Sequence, residues 1–150
     1  MVRHKNRYFI IKIKATDVPK DAPLNLHPAN LYGAITGAIQ HLHGDFGVAC
    51  SRSGFIVKYC NALTRIGIVR CRHGPHKLVG SAMNFVGNIG PYKAHIVTLY
   101  IGATLRHCFQ FIKKYQEQKL EKYCANLKTE EEKAALKKML LNMDSVESMQ

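Results

Sequence analysis

The chain has 150 residues, 47% of them hydrophobic and 21% charged, which suits one folded domain with an appendage and leaves no room for two full domains. Lys and Arg number 22 against 10 Asp and Glu, a formal net charge of +12, so nucleic acid or an anionic membrane is the implied partner. No apolar run approaches the ~18–20 residues needed to span a bilayer, which excludes a helical membrane span and leaves nucleic acid as the expected polyanion.

The charge is unevenly placed. Residues 1–112 hold 14 basic and 3 acidic residues, whereas residues 113–150 hold 8 and 7. Five cysteines, Cys50, Cys60, Cys71, Cys108 and Cys124, are odd in number and lack framework spacing, so reduced thiols in the cytosol or nucleus are expected. Lys12 and Lys14 interrupt the apolar stretch that a secretory signal would need, and the alternation there suits a folded strand better than a transit peptide.

In chain order, Arg3 to Lys14 alternates as a strand, with Phe9, Ile11 and Ile13 on one face and Tyr8, Ile10, Lys12 and Lys14 on the other. Val18 to Leu26, with two prolines, reads as a loop. His27-Pro28 opens a helix, since proline at the first helical position gives up no needed N–H bond. Leu31, Ile35, Ala38, Ile39 and Leu42 mark its buried face, and Gly44 and Gly47 are expected to end it. Phe55–Cys60 and Ile66–Arg72 form a hairpin through residues 61–65. Gly74-Pro75 starts a second helix, with Leu78, Val79, Ala82, Met83 and Val86 apolar, and residues 87–90 read as an ordinary loop. His95–Ile101 is the fourth strand. A long helix runs from Thr104 to about Tyr123, and Thr129-Glu130-Glu131-Glu132 is a capping box that opens a last one.

The order β-α-β-β-α-β predicts an α+β, ferredoxin-like (RRM-like) sandwich with extra C-terminal helices. Two helices would cover one face of a four-stranded antiparallel sheet and leave the other free. The expected division is a ferredoxin-like domain at 1–103, a helical extension at 104–143 and a tail at 144–150. Fold alone does not assign a function.

Catalytic chemistry is poorly served. Two-metal phosphoryl transfer needs converging carboxylates, and the basic body offers only Asp17, Asp21 and Asp45. His41 and His43 lie two apart on a helix and so point in different directions. Cys71, His73 and His76 are the best metal-ligand cluster, yet no CxxC pair and no local fourth ligand complete a structural zinc site, so no metal site is expected.

The cations carry the positive signal. Arg3, Lys5 and Arg7 alternate and point one way; Arg70 and Arg72 share a face of the third strand; Lys58 lies nearby on the second. Arg forks suit phosphates and stack on bases. Gly102-Ala103-Thr104-Leu105-Arg106 leads from strand into helix, where free N–H groups attract phosphate and Arg106 adds charge. The candidate RNA contacts are thus Arg3, Lys5, Arg7, Lys58, Arg70, Arg72 and Arg106. Strand aromatics Tyr8, Phe55, Tyr59 and Tyr100 occur without an RNP motif, so base stacking is not assigned.

Five segments in order resemble one family. Met1-Val2-Arg3-His4-Lys5-Asn6-Arg7-Tyr8 is similar to the opening of the Pop-five proteins, followed by His43-Gly44-Asp45-Phe46-Gly47, Gly54-Phe55 with Lys58-Tyr59 and Asn61, Ile68-Val69-Arg70-Cys71-Arg72, and Gly102-Ala103-Thr104-Leu105-Arg106. The likeness spans about residues 1–115. Ala103 departs from it, standing where the family often has glycine, and the acidic C-terminal tail of some members is not evident. The resemblance implies a non-catalytic subunit of ribonuclease P, which trims the 5′ leader of precursor tRNA, and of ribonuclease MRP, which acts in rRNA maturation. It further implies catalysis by the RNA with its own Mg ions, no cofactor on the protein, a TIM-barrel-type partner subunit among other proteins, and a nuclear and nucleolar location. A free-standing RNA chaperone or ribosome-associated RNA-binding module shares the charge pattern and is the alternative.

Overall fold

The computed structural model describes residues 5–19, 22–126 and 134. Its elements are β1 (Asn6–Ala15), α1 (Pro28–Arg52), β2 (Ile56–Cys60), β3 (Ile66–Arg72), α2 (His76–Met83), β4 (Asn88–Ile89), β5 (Tyr92–Gly102) and α3 (Leu105–Asn126). The strands pair antiparallel in the order β2-β3-β1-β5-β4. The expected α+β, ferredoxin-like sandwich is therefore present, with one strand more than four. Asn88 and Ile89 were expected to be loop. They pair with Lys93 and Tyr92 because Gly90, at φ +58°, turns the chain tightly enough for a two-residue ladder.

Alternation in β1 does what it should. Phe9, Ile11 and Ile13 are buried against Leu31, Ile35 and Ile39 of α1 and Val79, Ala82 and Met83 of α2. Each such side chain contributes about 1.5–3 kcal/mol by leaving water. His27 caps α1, its Nδ1 accepting the Ala29 N–H at 3.2 Å. The helix does not stop at Gly44 as expected. It kinks there, where φ is +62°, and resumes to Arg52. Beyond the kink Gly47 is buried beside Ile39 and His43, so the second glycine serves close packing and not termination. His43 Nε2 meets Ser81 Oγ at 2.9 Å and ties α1 to α2.

The second sheet face is not free. Ile10, Ile66 and Ile68 lie on it and are all buried, at 0%, 3% and 2% exposure. Register sets Ile10 between Ile68 of β3 and Tyr100 of β5. Three aliphatic side chains at the sheet centre lose too much on hydration to form an open platform. At the top of this face Gly102 pairs with Tyr8, and the first turn of α3 comes down on it. Thr104 caps that turn, its hydroxyl accepting the His107 N–H at 3.4 Å.

Gly102 is required by contact. A Cβ there would lie 2.8 Å from Cys108 Sγ and 2.9 Å from the Tyr100 ring. Gly102→Ala is expected to cost about 1–3 kcal/mol through overpacking, with part of the loss recovered when Cys108→Ala is added. Chemical denaturation of the single and double variants measures both terms; a double variant with no recovery rejects this packing account.

The chain divides into two compact units, Met1–Cys108 and Phe109–Gln150. In the second, Phe111 and Tyr115 stack one helical turn apart at 6.2 Å, and Lys119 Nζ sits 5.5 Å from the Tyr123 ring centre. The capping box at 129–132, most of the helix expected after it and the tail from Asp144 lie outside the described residues. No helix among the described residues is long and apolar enough to cross a membrane.

Candidate nucleic-acid interface

Arg70 and Arg72 leave β3 on the face opposite α1 and α2, because Val69 and Cys71 fill the core against those helices. Tyr8 stands directly across from Arg70 on β1, and Ile56 across from it on β2. Arg70 is half-buried, and its Nε is buried without a hydrogen-bond partner among the described residues. Arg72 is held differently. Its stem runs over the bare Cα of Gly54, where a Cβ would lie 3.0 Å from Arg72 Cγ and 3.5 Å from Nε. Gly54 at φ +87° thus turns the chain into β2 and makes room for the guanidinium stem. Arg106, exposed in the first turn of α3, follows Gly102 and Thr104 on this same side of the sheet.

The other candidates lie elsewhere. Arg3 is outside the described residues. Lys5 is exposed just before β1, its carbonyl accepting the His73 N–H at 2.8 Å and so prolonging the β1–β3 ladder. Arg7 pairs with Cys71, a core residue, and therefore emerges on the helix side. Odd positions of β1 match odd positions of β3, so Arg7 leaves the sheet on the side away from Arg70 and Arg72, which are even. Lys58 falls at the register shift between Val57 and Tyr59 on the edge strand β2, exposed at the bulge.

The Cys71–His73–His76 trio is separated by depth, since Cys71 is inside β3 and His73 lies past its end. Cys71 is buried, with its Sγ 3.8 Å from the Arg7 carbonyl, while His73 is exposed and stacks on His76 at 4.9 Å. Among the described residues no three His, Cys, Asp or Glu side chains are placed to hold a metal ion. A cavity of about 420 Å³ between α2 and β5 is lined by Phe9, Gly80, Asn84, Ile96, Val97, Thr98 and Ile101, none of which titrates. It offers no group for acid–base work.

Of the strand aromatics, Phe55 is core and meets the Tyr32 ring at 5.0 Å, and the Tyr59 hydroxyl accepts from Asn61 Nδ2 at 2.8 Å. Burial pushes the Cys71 thiol up to about 12, with Arg7 pulling it partly back. Burial likewise raises Cys108 to about 11, against a hydrogen bond from the Gly102 backbone. An unfolded thiol ionises near its ordinary value of 9.0. Above that pH the unfolded chain binds fewer protons than the native one, so stability is expected to fall as pH rises from about 9 toward 11. Urea titrations at stepped pH check the sign. Replacing both thiols with alanine should flatten this dependence, and an unflattened curve rejects the assignment.

The pattern of the Rpp14/Pop5 family matches residues 7–113. The chain belongs to the Rpp14/Pop5 family. Among curated members, the mouse ribonuclease P/MRP protein subunit POP5 is 34% identical over 99% of this chain and 92% of its own length. The human subunit of the same name is 35% identical over 92% and 86%, and a probable Arabidopsis thaliana subunit 32% identical over 87% and 89%. A chain in the cryo-EM structure of yeast ribonuclease MRP shares the fold, with a TM-score of 0.50 at 16% identity over 85% of this chain and 99% of that one. The matched span of the Rpp14/Pop5 family takes in every candidate cation except Arg3 and Lys5.

Two groups were missed by sequence reasoning. Lys77, which the sequence did not single out, lies with His76 on Arg7's side of the sheet. Arg65, read as a loop residue, is buried and hydrogen-bonded; its position after Asn61 in a hairpin turn was the one available signal.

Proposed function

We propose that this chain is a protein subunit of ribonuclease P and ribonuclease MRP that binds and stabilises the catalytic RNA and performs no cleavage itself. The observation that supports this most is the near full-length similarity to POP5 subunits of those particles. The surface chemistry agrees with it. Up to Cys108 the described residues include two carboxylates, Asp17 and Asp45. Asp17 accepts the Lys93 N–H and Asp45 accepts from Gln40 Nε2. Among the described residues neither belongs to a cluster of potential metal ligands, whereas Arg70, Arg72 and Arg106 carry guanidinium forks suited to phosphate oxygens.

On this reading the Mg ions of hydrolysis sit on the RNA, and the protein needs no cofactor. Arg70, Arg72, Arg106, Lys58, Lys5, Arg7 and Arg3 contact backbone phosphates and set the RNA's position more than they read its sequence. A TIM-barrel-type subunit and other proteins of the particle are the protein partners, and the nucleus and nucleolus the location.

A mild-salt pull-down of tagged protein tests the reading. The bound RNA is sequenced, and the eluate is assayed for 5′ cleavage of precursor tRNA before and after micrococcal nuclease. Enriched ribonuclease P and MRP RNAs with nuclease-sensitive cleavage are expected. Unselective RNA without cleavage would instead indicate a free-standing RNA binder, and nuclease-resistant cleavage would indicate chemistry in the protein.

A further inference from the structure

Arg7 lies in register between Arg70 and Arg72 yet leaves the opposite face of the sheet. There it joins a cluster at the start of α2. The His73 and His76 rings stack at 4.9 Å with a 30° tilt. The Gly74 N–H donates to His76 Nδ1 at 3.0 Å, which leaves Nε2 to carry the ring proton and act as a neutral donor. Burial, then His73, Arg7 and Lys77, hold the His76 imidazole below its ordinary value, in keeping with that neutral form. Lys77 and His73 are exposed, and Arg7 is half-buried with Nη1 donating to the Asn6 carbonyl at 3.1 Å.

Nothing anionic in the described part of this unit offsets these groups. Asp17 and Asp45 are hydrogen-bonded to Lys93 N–H and Gln40. Like charges gathered without a counter-charge disfavour the free protein and favour an external anion. The Arg70–Arg72 patch sits at the same end of the β1–β3 ladder, with the sheet itself between the two.

We infer that Arg7, His76 and Lys77 make a second phosphate-backbone contact on the helix side of the sheet, so that the chain holds two separate backbone segments of its RNA, one on each face. This rests on the RNA-binding reading above and adds to it the form of the RNA: two strands brought close together, as at a junction, and not one strand laid over a sheet.

The test uses the full chain and an in-vitro transcript of ribonuclease P RNA, with binding followed by fluorescence anisotropy across a salt series. Three variants are compared with wild type: Arg7→Gln/Lys77→Gln, Arg70→Gln/Arg72→Gln, and all four together. Each pair is expected to lower the magnitude of the slope of log K against log salt by about 1.4–1.8, from ~0.7–0.9 per lost phosphate contact. The four-fold variant should lose the sum. His73→Asn/Lys77→Gln changes exposed positions only and should lose about 0.7–0.9 even where Arg7→Gln impairs folding. An unchanged slope in both Lys77 variants, with wild-type binding intact, overturns the inference. So does a four-fold loss no larger than either pair's, because the two pairs would then neutralise the same phosphates. Wild type that shows no salt-dependent binding overturns the subunit reading itself, and this inference with it.

Discussion

Arg70→Ala/Arg72→Ala is expected to weaken RNA binding roughly 10- to 100-fold at low salt, since each charge-assisted hydrogen bond to phosphate contributes about 1.5–3 kcal/mol before partial replacement by neighbours and water. The salt slope should fall by about one unit per lost phosphate contact. The geometry explains why these two positions carry so much. Both lie on β3, an inner strand, with Arg70 paired to β1 and β2 and Arg72 paired to Asn6 of β1. Arg70 stands between Tyr8 and Ile56 with an Nε that finds no partner among the described residues. Arg72 is aimed by its close approach to Gly54. Lysine is a poor substitute at either site, because an ammonium has no planar fork and would recover charge but not bidentate geometry. Arg70→Lys/Arg72→Lys should therefore restore most of the salt slope and only part of the affinity. Circular dichroism establishes that the variants fold. Unchanged affinity and slope in a folded alanine variant would remove this surface from the RNA interface.

Much of the fold was legible because the patterns that encode it are local. The alternation of Phe9, Ile11 and Ile13 and the helical spacing of Leu31, Ile35 and Ile39 name the core directly. The hairpin announced itself through Asn61, whose side-chain oxygen accepts the Leu63 N–H at 2.8 Å and the Thr64 N–H at 3.0 Å. Several residues that carry the family likeness turn out to be packing residues. Gly54 gives way to Arg72, and Gly102 gives way to Cys108 and Tyr100. Such glycines mark close approaches that sequence reading can flag but not pair, since the partner is distant in the chain.

What failed depended on distance. Gly44 and Gly47 read as a helix stop because glycine is a poor helix former; a kink between two packed segments satisfies the same residues equally well. Ile10 was placed correctly on the second face, but its burial depends on what lies over the sheet, which periodicity does not report. Arg7 shows the point most sharply for the site. Arg3, Lys5 and Arg7 were expected to point one way, and Arg7 leaves on the side away from Arg70 and Arg72. Strand register decides this, and register follows from tertiary pairing.

Arg65→Ala is the second variant with a large expected effect, and it should act on stability alone. Arg65 is 6% exposed, and its Nη2 donates to the Pro19 carbonyl and to the Ala22 carbonyl, the latter at 2.9 Å. Its backbone is engaged too: the N–H donates to Asn61 O at 3.0 Å, and the carbonyl accepts from Ile13 N at 2.9 Å. One side chain thus fastens the proline loop to the hairpin turn beside β1. Truncation removes two charge-assisted hydrogen bonds and leaves space behind, a loss of about 3 kcal/mol, or roughly 6–12 °C in Tm for a domain of this size. The residue also sits at φ +55°, a left-handed conformation that costs a non-glycine residue about 1–2 kcal/mol. Arg65→Gly releases that cost while losing the same hydrogen bonds, so it should be less damaging than Arg65→Ala by about 1 kcal/mol. Arg65 and Arg72 lie at opposite ends of β3, about 20 Å apart at ~3.3 Å per residue. Below its melting transition Arg65→Ala should therefore bind RNA with the wild-type salt slope, whereas Arg70→Ala/Arg72→Ala should lose slope with little change in Tm. Thermal melts and anisotropy on the two proteins separate the roles; a lowered slope in Arg65→Ala would mean that the clip and the RNA surface are coupled through β3.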